Sequence, residues 1–260
     1  MIFSWLRERR RRSLRSGPFP EPWREALEQN VRDYRDLGQD EQATVRRYVQ
    51  VFAAEKHWEG CGGLTITDEV RVTIAAQVGI LVLGLGDQYF DHVLSILIYP
   101  AAYVAPGAAT SSGAGVAEAD SARLGEAWYR GPVVLSWTDV LAGGRRRTHG
   151  NVVYHEFAHQ LDMLNGRNVD GTPPLETAQQ DRRWLEVTDE EFRRLTHECA
   201  HGRHTLIDCY GATNRAEFFA VITETFLTRP HAMQELHPEL YAILSEVYRQ
   251  DPARRSTARR

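Results

Sequence analysis

Asn151–Gly166 reads NVVYHEFAHQLDMLNG, with His155, Glu156 and His159 in the order His-Glu-x-x-His. In an α-helix, positions i and i+4 lie on one face one turn apart, so both imidazoles can reach one Zn²⁺ at about 2.0–2.1 Å. Glu156, beside the first histidine, can hold the water that such an ion activates and carry its proton. Val152, Val153, Phe157, Leu161 and Leu164 give this helix the apolar surface of a buried element, and Asn165-Gly166 reads as its stop.

The same pattern occurs a second time, as His197-Glu198-Cys199-Ala200-His201. Gly202 follows at once, so that helix is expected to end at its second would-be ligand. Its flanks, FRRLT and GRHTL, lack a continuous apolar surface to bury a site against. It reads as a solvated helix end, with His201 and His204 open to adventitious metal.

A catalytic zinc site takes three protein ligands and keeps a fourth position for water. The segment from Asn214 runs NRAEFFAVITE to Glu224, and Glu217, Ala220, Val221 and Glu224 share one helical face. A carboxylate buried without a partner is very costly, and a metal answers that cost. Glu217 is therefore the candidate third ligand, and Glu224 a candidate carboxylate to orient a ligand imidazole. A capping box, Asn214-x-x-Glu217, is the competing role for Glu217. Asp162, three residues after His159, is open between a partner for a ligand and a helix-surface charge.

The chain has 260 residues, is 42% hydrophobic and carries a formal net charge of −4. It is long enough for one full core, and its overall charge gives no nucleic-acid signature. Six arginines against Glu8 leave residues 1–15 basic, after the apolar start MIFSWL. That order is the reverse of a secretory signal, and the apolar run is too short for stable membrane insertion. Residues 1–17 read as a flexible, solvated basic arm; a basic amphipathic segment lying on a membrane or partner is the alternative. Cys61, Cys199 and Cys209 form no CxxC pair. Neither a disulfide framework nor a thiolate zinc site is expected, and the cytoplasm is the natural compartment.

Periodicity predicts helices over Pro22–Leu37 and Asp40–Lys56, and a core helix from an N-cap at Thr67 to near Gly84. Val93–Tyr99 and Val133–Trp137 read as strands, residues 104–121 as a surface loop, and Gly143–Gly150 as the loop into the first motif. RNVDGTPPL, residues 167–175, reads as turn chemistry and not as a calcium loop. Helices follow over Gln180–His197, Asn214–Leu227 and His231–Tyr248. A single domain is expected over residues 18–252, followed by a disordered tail over 253–260.

NVVYHEFAHQLDMLNG, YGATNRAEFFAVITETF, GLTITDEVRVTIAAQ and RLGEAW…GPVVLSW together resemble blocks of the Mlc titration factor A family of bacterial zinc metallopeptidases. The resemblance spans nearly the whole chain, and the second His-Glu-x-x-His falls outside its blocks. It implies an α+β, zincin-like fold, mostly helical with a small mixed sheet, similar to the catalytic domain of anthrax lethal factor. It implies one catalytic Zn²⁺ on His155, His159 and Glu217, Glu156 as general base, and Tyr210 as the hydroxyl that stabilises an oxyanion. On the residues alone, Tyr210 beside Gly211 reads as a packed loop residue. Val133–Trp137 would be the edge strand along which a peptide substrate pairs, and Pro132 suits an edge. The expected activity is hydrolysis of a peptide or protein, with aminopeptidase action among the possibilities. The family name also implies a second reading, a regulatory protein that sequesters a transcriptional repressor with peptidase activity secondary or latent.

Overall fold

The computed structural model describes residues 2–101, 131–145, 150–166 and 169–257. In chain order these form α1 (Ile2–Ser16), α2 (Glu21–Asn30), α3 (Arg32–Asp36), α4 (Gln39–Glu55), β1 (His57–Gly60), α5 (Asp68–Leu81), β2 (Ser95–Tyr99) and β3 (Val133–Ser136). There follow α6 (Trp137–Arg145), α7 (Val152–Asp162), α8 (Ala178–Ala200), α9 (Arg215–Thr228), α10 (Pro230–Leu236), α11 (Pro238–Tyr248) and α12 (Pro252–Thr257). Short 3₁₀ turns cover Met163–Asn165 and Cys209–Ala212.

The core is built on α5. Thr67 caps it, its side-chain oxygen accepting from the Val70 amide. Val72, Ile74, Ala75, Ala76 and Val78 are fully buried, and from Val72 to Leu81 the helix is buried on every side. One of them is α4: a Cβ on Gly79 would sit 2.9 Å from the Tyr48 ring, and glycine is what lets the two helices approach this closely. Two buried polar side chains interrupt α5, and both are partnered. Thr73 accepts from Asn30 at 3.1 Å, and Gln77 accepts from Asn151 at 2.8 Å. Through Gln77 the core helix holds the start of α7.

The chain is α+β, as expected, with a small sheet in the order β1-β2-β3. Both pairings are parallel, Trp58 opposite Ile96 and Ile96 opposite Val133, so the expectation of a mixed sheet gives way to a parallel one among the described residues. Parallel neighbours need a crossover, and α5 supplies the one between β1 and β2. Ile96, Ile98, Val133 and Leu135 point into the core. Among the described residues β3 is an outer strand of the sheet, and it runs straight into α6 at Trp137.

Several expectations are corrected. Residues 2–16 form a helix in place of a solvated arm. Arg11 is only 6% exposed; its guanidinium bonds Glu55 at 2.6 Å and Asp91, and lies 4.5 Å from the centre of the Tyr89 ring. These partners are 44 or more residues away, out of reach of any local reading. Extended backbone at Val31 splits the helix expected over Pro22–Leu37 into α2 and α3. The tail is ordered as α12, where Ala253 is buried and Arg255 pairs with Glu41 at 2.8 Å; residues 258–260 lie outside the described residues.

Cys199 and Cys209 form a disulfide, against the expectation of none. The chain turns back after α8 and brings their Cα atoms to 5.7 Å, a fold-back that spacing does not announce. The surface loop expected over residues 104–121 lies outside the described residues. No helix among the described residues is long and apolar enough to cross a membrane.

Candidate metal centre

Helices α7 and α9 carry the site, and each is started by an asparagine. Asn151 accepts from the Val153 and Tyr154 amides at 3.0 and 3.1 Å, starting α7 four residues before His155. Asn214 accepts from the Glu217 amide at 2.9 Å. Only half of the expected capping box forms, because the Glu217 carboxylate turns away from its own helix start and toward the histidines.

His155, His159 and Glu217 converge, with one ligand atom from each within 4.8 Å of the others. His155 Nε2 and His159 Nε2 are 3.2 Å apart. Glu217 Oε2 lies 3.0 Å from His155 Nε2, and Oε1 lies 3.4 Å from His159 Nε2. Donors 2.0–2.1 Å from a single tetrahedral ion are about 3.3 Å from one another, so the three groups stand at the spacing one such ion requires. Glu217 Oε2 is buried and has no well-directed hydrogen bond despite its nearness to His155. A buried carboxylate oxygen without a donor is what a bound cation satisfies. The residues present fit a zinc ion.

Behind the three candidate donors, Glu224 Oε1 is 2.7 Å from His155 Nδ1. Its other oxygen accepts from the Asn151 amide at the first turn of α7. This is the carboxylate–histidine pairing that fixes which imidazole nitrogen faces a metal. Burial alone would lower the His155 pKa, but Glu217 and Glu224 outweigh it and raise it to about 10. Burial likewise opposes ionisation of Glu217, and its contacts with His155 and His159 bring it down to about 2. Glu156 is half-buried and its carboxyl is raised by loss of water, with both histidines pulling the other way. A carboxyl moved toward neutrality is better matched to taking and returning a proton.

A family model described as glucose-regulated metallo-peptidase M90 matches residues 5–249. The chain belongs to the M90 family. It is 36% identical over 250 residues to "Uncharacterized protein slr2042" of Synechocystis sp., covering 95% of this chain and 90% of that protein. It is 29% identical over 246 residues to "Mlc titration factor A" of Yersinia pestis (strain Pestoides F), covering 90% and 86%. The same figures hold for the protein of that name from Yersinia pseudotuberculosis (strain YPIII). A metallo-peptidase family implies a metal ion, and the His155, His159 and Glu217 cluster is where this M90 chain can hold one.

The remaining expected residues are placed as follows. Tyr210 sits in the 3₁₀ turn before α9, its ring centre 5.9 Å from that of His155. Asp162 is fully buried and accepts from the Gly171 and Thr172 amides at 2.8 and 3.1 Å. Its hydrogen bonds go to that turn and not to His155 or His159, and burial pushes its carboxyl up to about 6. The second motif stays apart. α8 ends at Ala200, His201 is exposed, and His201 Nδ1 bonds the His197 carbonyl at 2.7 Å. Cys199, inside that motif, is tied to Cys209 beside Tyr210.

Two further residues support the helix that carries His155 and His159. Asn151 starts α7, binds Glu224 through its amide and bonds Gln77 through its side chain. An Asn ahead of an apolar run is a helix-start signal that could have identified it. Gln77, in mid-helix on α5, gives no such signal.

Proposed function

We propose that this chain is a zinc-dependent peptidase, with His155, His159 and Glu217 as the ligands of one Zn²⁺. The observation that carries the reading is the convergence of these three donors with Glu224 behind His155. A zinc ion held there would supply Lewis acidity, polarising a peptide carbonyl and lowering the pKa of a water molecule. Glu156 accepts the proton of the attacking water and returns it to the leaving amine. Tyr210 donates its hydroxyl to the carbonyl oxygen as negative charge develops there, without adding a charge of its own. Glu224 keeps His155 Nε2 turned inward, and Asp162 holds the turn after α7. A peptide laid along β3 would present its backbone to the same pocket.

Glu156→Gln tests the proposal. Metal content should stay at the wild-type level while hydrolysis of a peptide library falls by about 10²–10⁴-fold. Turnover retained in that variant overturns the role of Glu156. Glu217→Ala should empty the site and His201→Ala should leave it loaded; the reverse pattern would move the metal to the second motif. Peptides with free and with acetylated N-termini, compared in the same assay, test for aminopeptidase action.

The name of the Yersinia relatives, Mlc titration factor A, favours a second reading, in which the chain binds a transcriptional repressor and hydrolysis is secondary. The Glu156→Gln protein separates the two. Sequestration keeps its full strength without the base, whereas a purely proteolytic effect on the repressor disappears.

A further inference from the structure

We infer that the outward face of α1 is a docking surface for an anionic membrane, on which the folded domain rests without crossing it. The helix has a fixed orientation. Arg11 is buried between Glu55 and Asp91, Arg15 bonds Asp87 at 2.9 Å and also pairs with Glu8, and Leu14 packs against the core. These contacts take one side of α1 and determine which residues the other side presents.

The presented side combines basic and apolar groups. Trp5, Arg9 and Arg12, at i, i+4 and i+7, form one stripe, and Leu6 and Arg10 lie on the next. Arg9, Arg10 and Arg12 are exposed, and none has a carboxylate partner among the described residues. Trp5 is 55% exposed and Leu6 49%, in the first turns of the helix. Glu8, the one acid of α1, is turned to Arg15 on the inner side. The outer face therefore carries positive charge that its own protein does not neutralise, although the whole chain has a net charge of −4.

Charge complementarity selects a partner rich in fixed negative charge, and the apolar groups select among such partners. Duplex nucleic acid would satisfy the guanidiniums through its phosphates but offers nothing to an exposed indole and leucine. A phospholipid surface meets both needs. Headgroup phosphates face the arginines, and Trp and Leu enter the boundary between headgroups and acyl chains. Fifteen residues at 1.5 Å each give a helix that lies on a bilayer and does not span it. This inference is independent of the proposed hydrolysis, since no residue in it belongs to the metal site.

The test is co-sedimentation of the full chain with vesicles of phosphatidylcholine alone and of phosphatidylcholine mixed with phosphatidylglycerol. Binding is expected only to the anionic vesicles, and it should weaken as salt is raised. Replacing the three outer arginines by glutamine, R9Q/R10Q/R12Q, should weaken it by about 100-fold, each basic residue near an anionic surface contributing roughly a factor of five. W5A/L6A should weaken it too, while both variants keep wild-type circular dichroism, because the inner face is untouched. Equal binding to neutral vesicles, indifference to the arginine substitutions, or tighter binding to duplex DNA than to anionic vesicles would each overturn the inference.

Discussion

Replacing Glu224 by glutamine perturbs the site without removing a ligand. The wild-type carboxylate accepts two hydrogen bonds, from His155 Nδ1 at 2.7 Å and from the Asn151 amide. A glutamine of the same shape has one carbonyl oxygen and one amide NH₂. Whichever donor the oxygen takes, the NH₂ meets the other, and one buried N–H is left without an acceptor. That costs about 1–3 kcal/mol. The structure gives the molecule two ways to relieve it. If the Asn151 amide is left unpaired, the start of α7 loosens and stability falls by that amount. If His155 Nδ1 is left unpaired, the ring can turn or take the other tautomer, and Nε2 no longer faces Glu217. Substitutions behind a ligand histidine typically weaken metal binding by about 10–100-fold. At about 1.4 kcal/mol per decade that is roughly 1.4–2.8 kcal/mol, the same range as the cost of one unpaired donor. Zinc affinity measured against a competing chelator, together with urea unfolding of the metal-free protein, separates the two routes. Affinity and stability both at wild-type values would refute the argument that Glu224 holds both donors.

Three further outcomes are expected. Cys199→Ser/Cys209→Ser, or reduction of the wild type, should lower stability to urea by about 3 kcal/mol, because the bridge closes a short loop in the unfolded chain; an unchanged unfolding midpoint would contradict this. Gly171→Ala should destabilise the fold by about 1–3 kcal/mol and weaken zinc binding as well. Gly171 has φ +81°, and an added Cβ would lie 2.3 Å from the carbonyl of Arg215, two residues before Glu217; thermal unfolding and metal titration measure both effects. Burial lowers Lys56 to about 8 from its ordinary 10.5, with Asp91 and Glu55 opposing. Between those pH values the unfolded chain keeps a proton that the folded chain has lost, so stability should rise with pH across that window by up to about 3 kcal/mol. The rise should be absent in Lys56→Met, as unfolding at successive pH values would show.

What could be read in advance was what helical periodicity carries. The first His-Glu-x-x-His helix, the face shared by Glu217 and Glu224, and the early end of the second motif at Gly202 all depend on residues within two turns of each other. What could not be read depends on distant parts of the chain. Arg11 looked solvated because Glu55 and Asp91 are 44 and 80 residues away. Cys199 and Cys209 looked unpaired because no local rule says that the chain reverses between them. The parallel pairing of the strands follows from a crossover, not from strand composition. Asp162 sat at a sensible distance from His159 along the helix. Its partners turned out to be the amides of Gly171 and Thr172, on a turn whose position is set by packing against Arg215 and Trp184.

The reach of Glu224 back to Asn151 and His155 bears on the order in which the protein matures during synthesis. His155 and Glu224 are 69 residues apart. While the stretch between them is still being made, the nascent chain has His155, Glu156 and His159 but neither Glu217 nor the Glu224 carboxylate that holds His155 Nδ1. An ion caught at that stage is held by two side chains on one turn of helix and exchanges freely. Completion of α9 brings in Glu217 as the third donor, so a chain cut short before it is released with only two of the three donors and binds metal weakly.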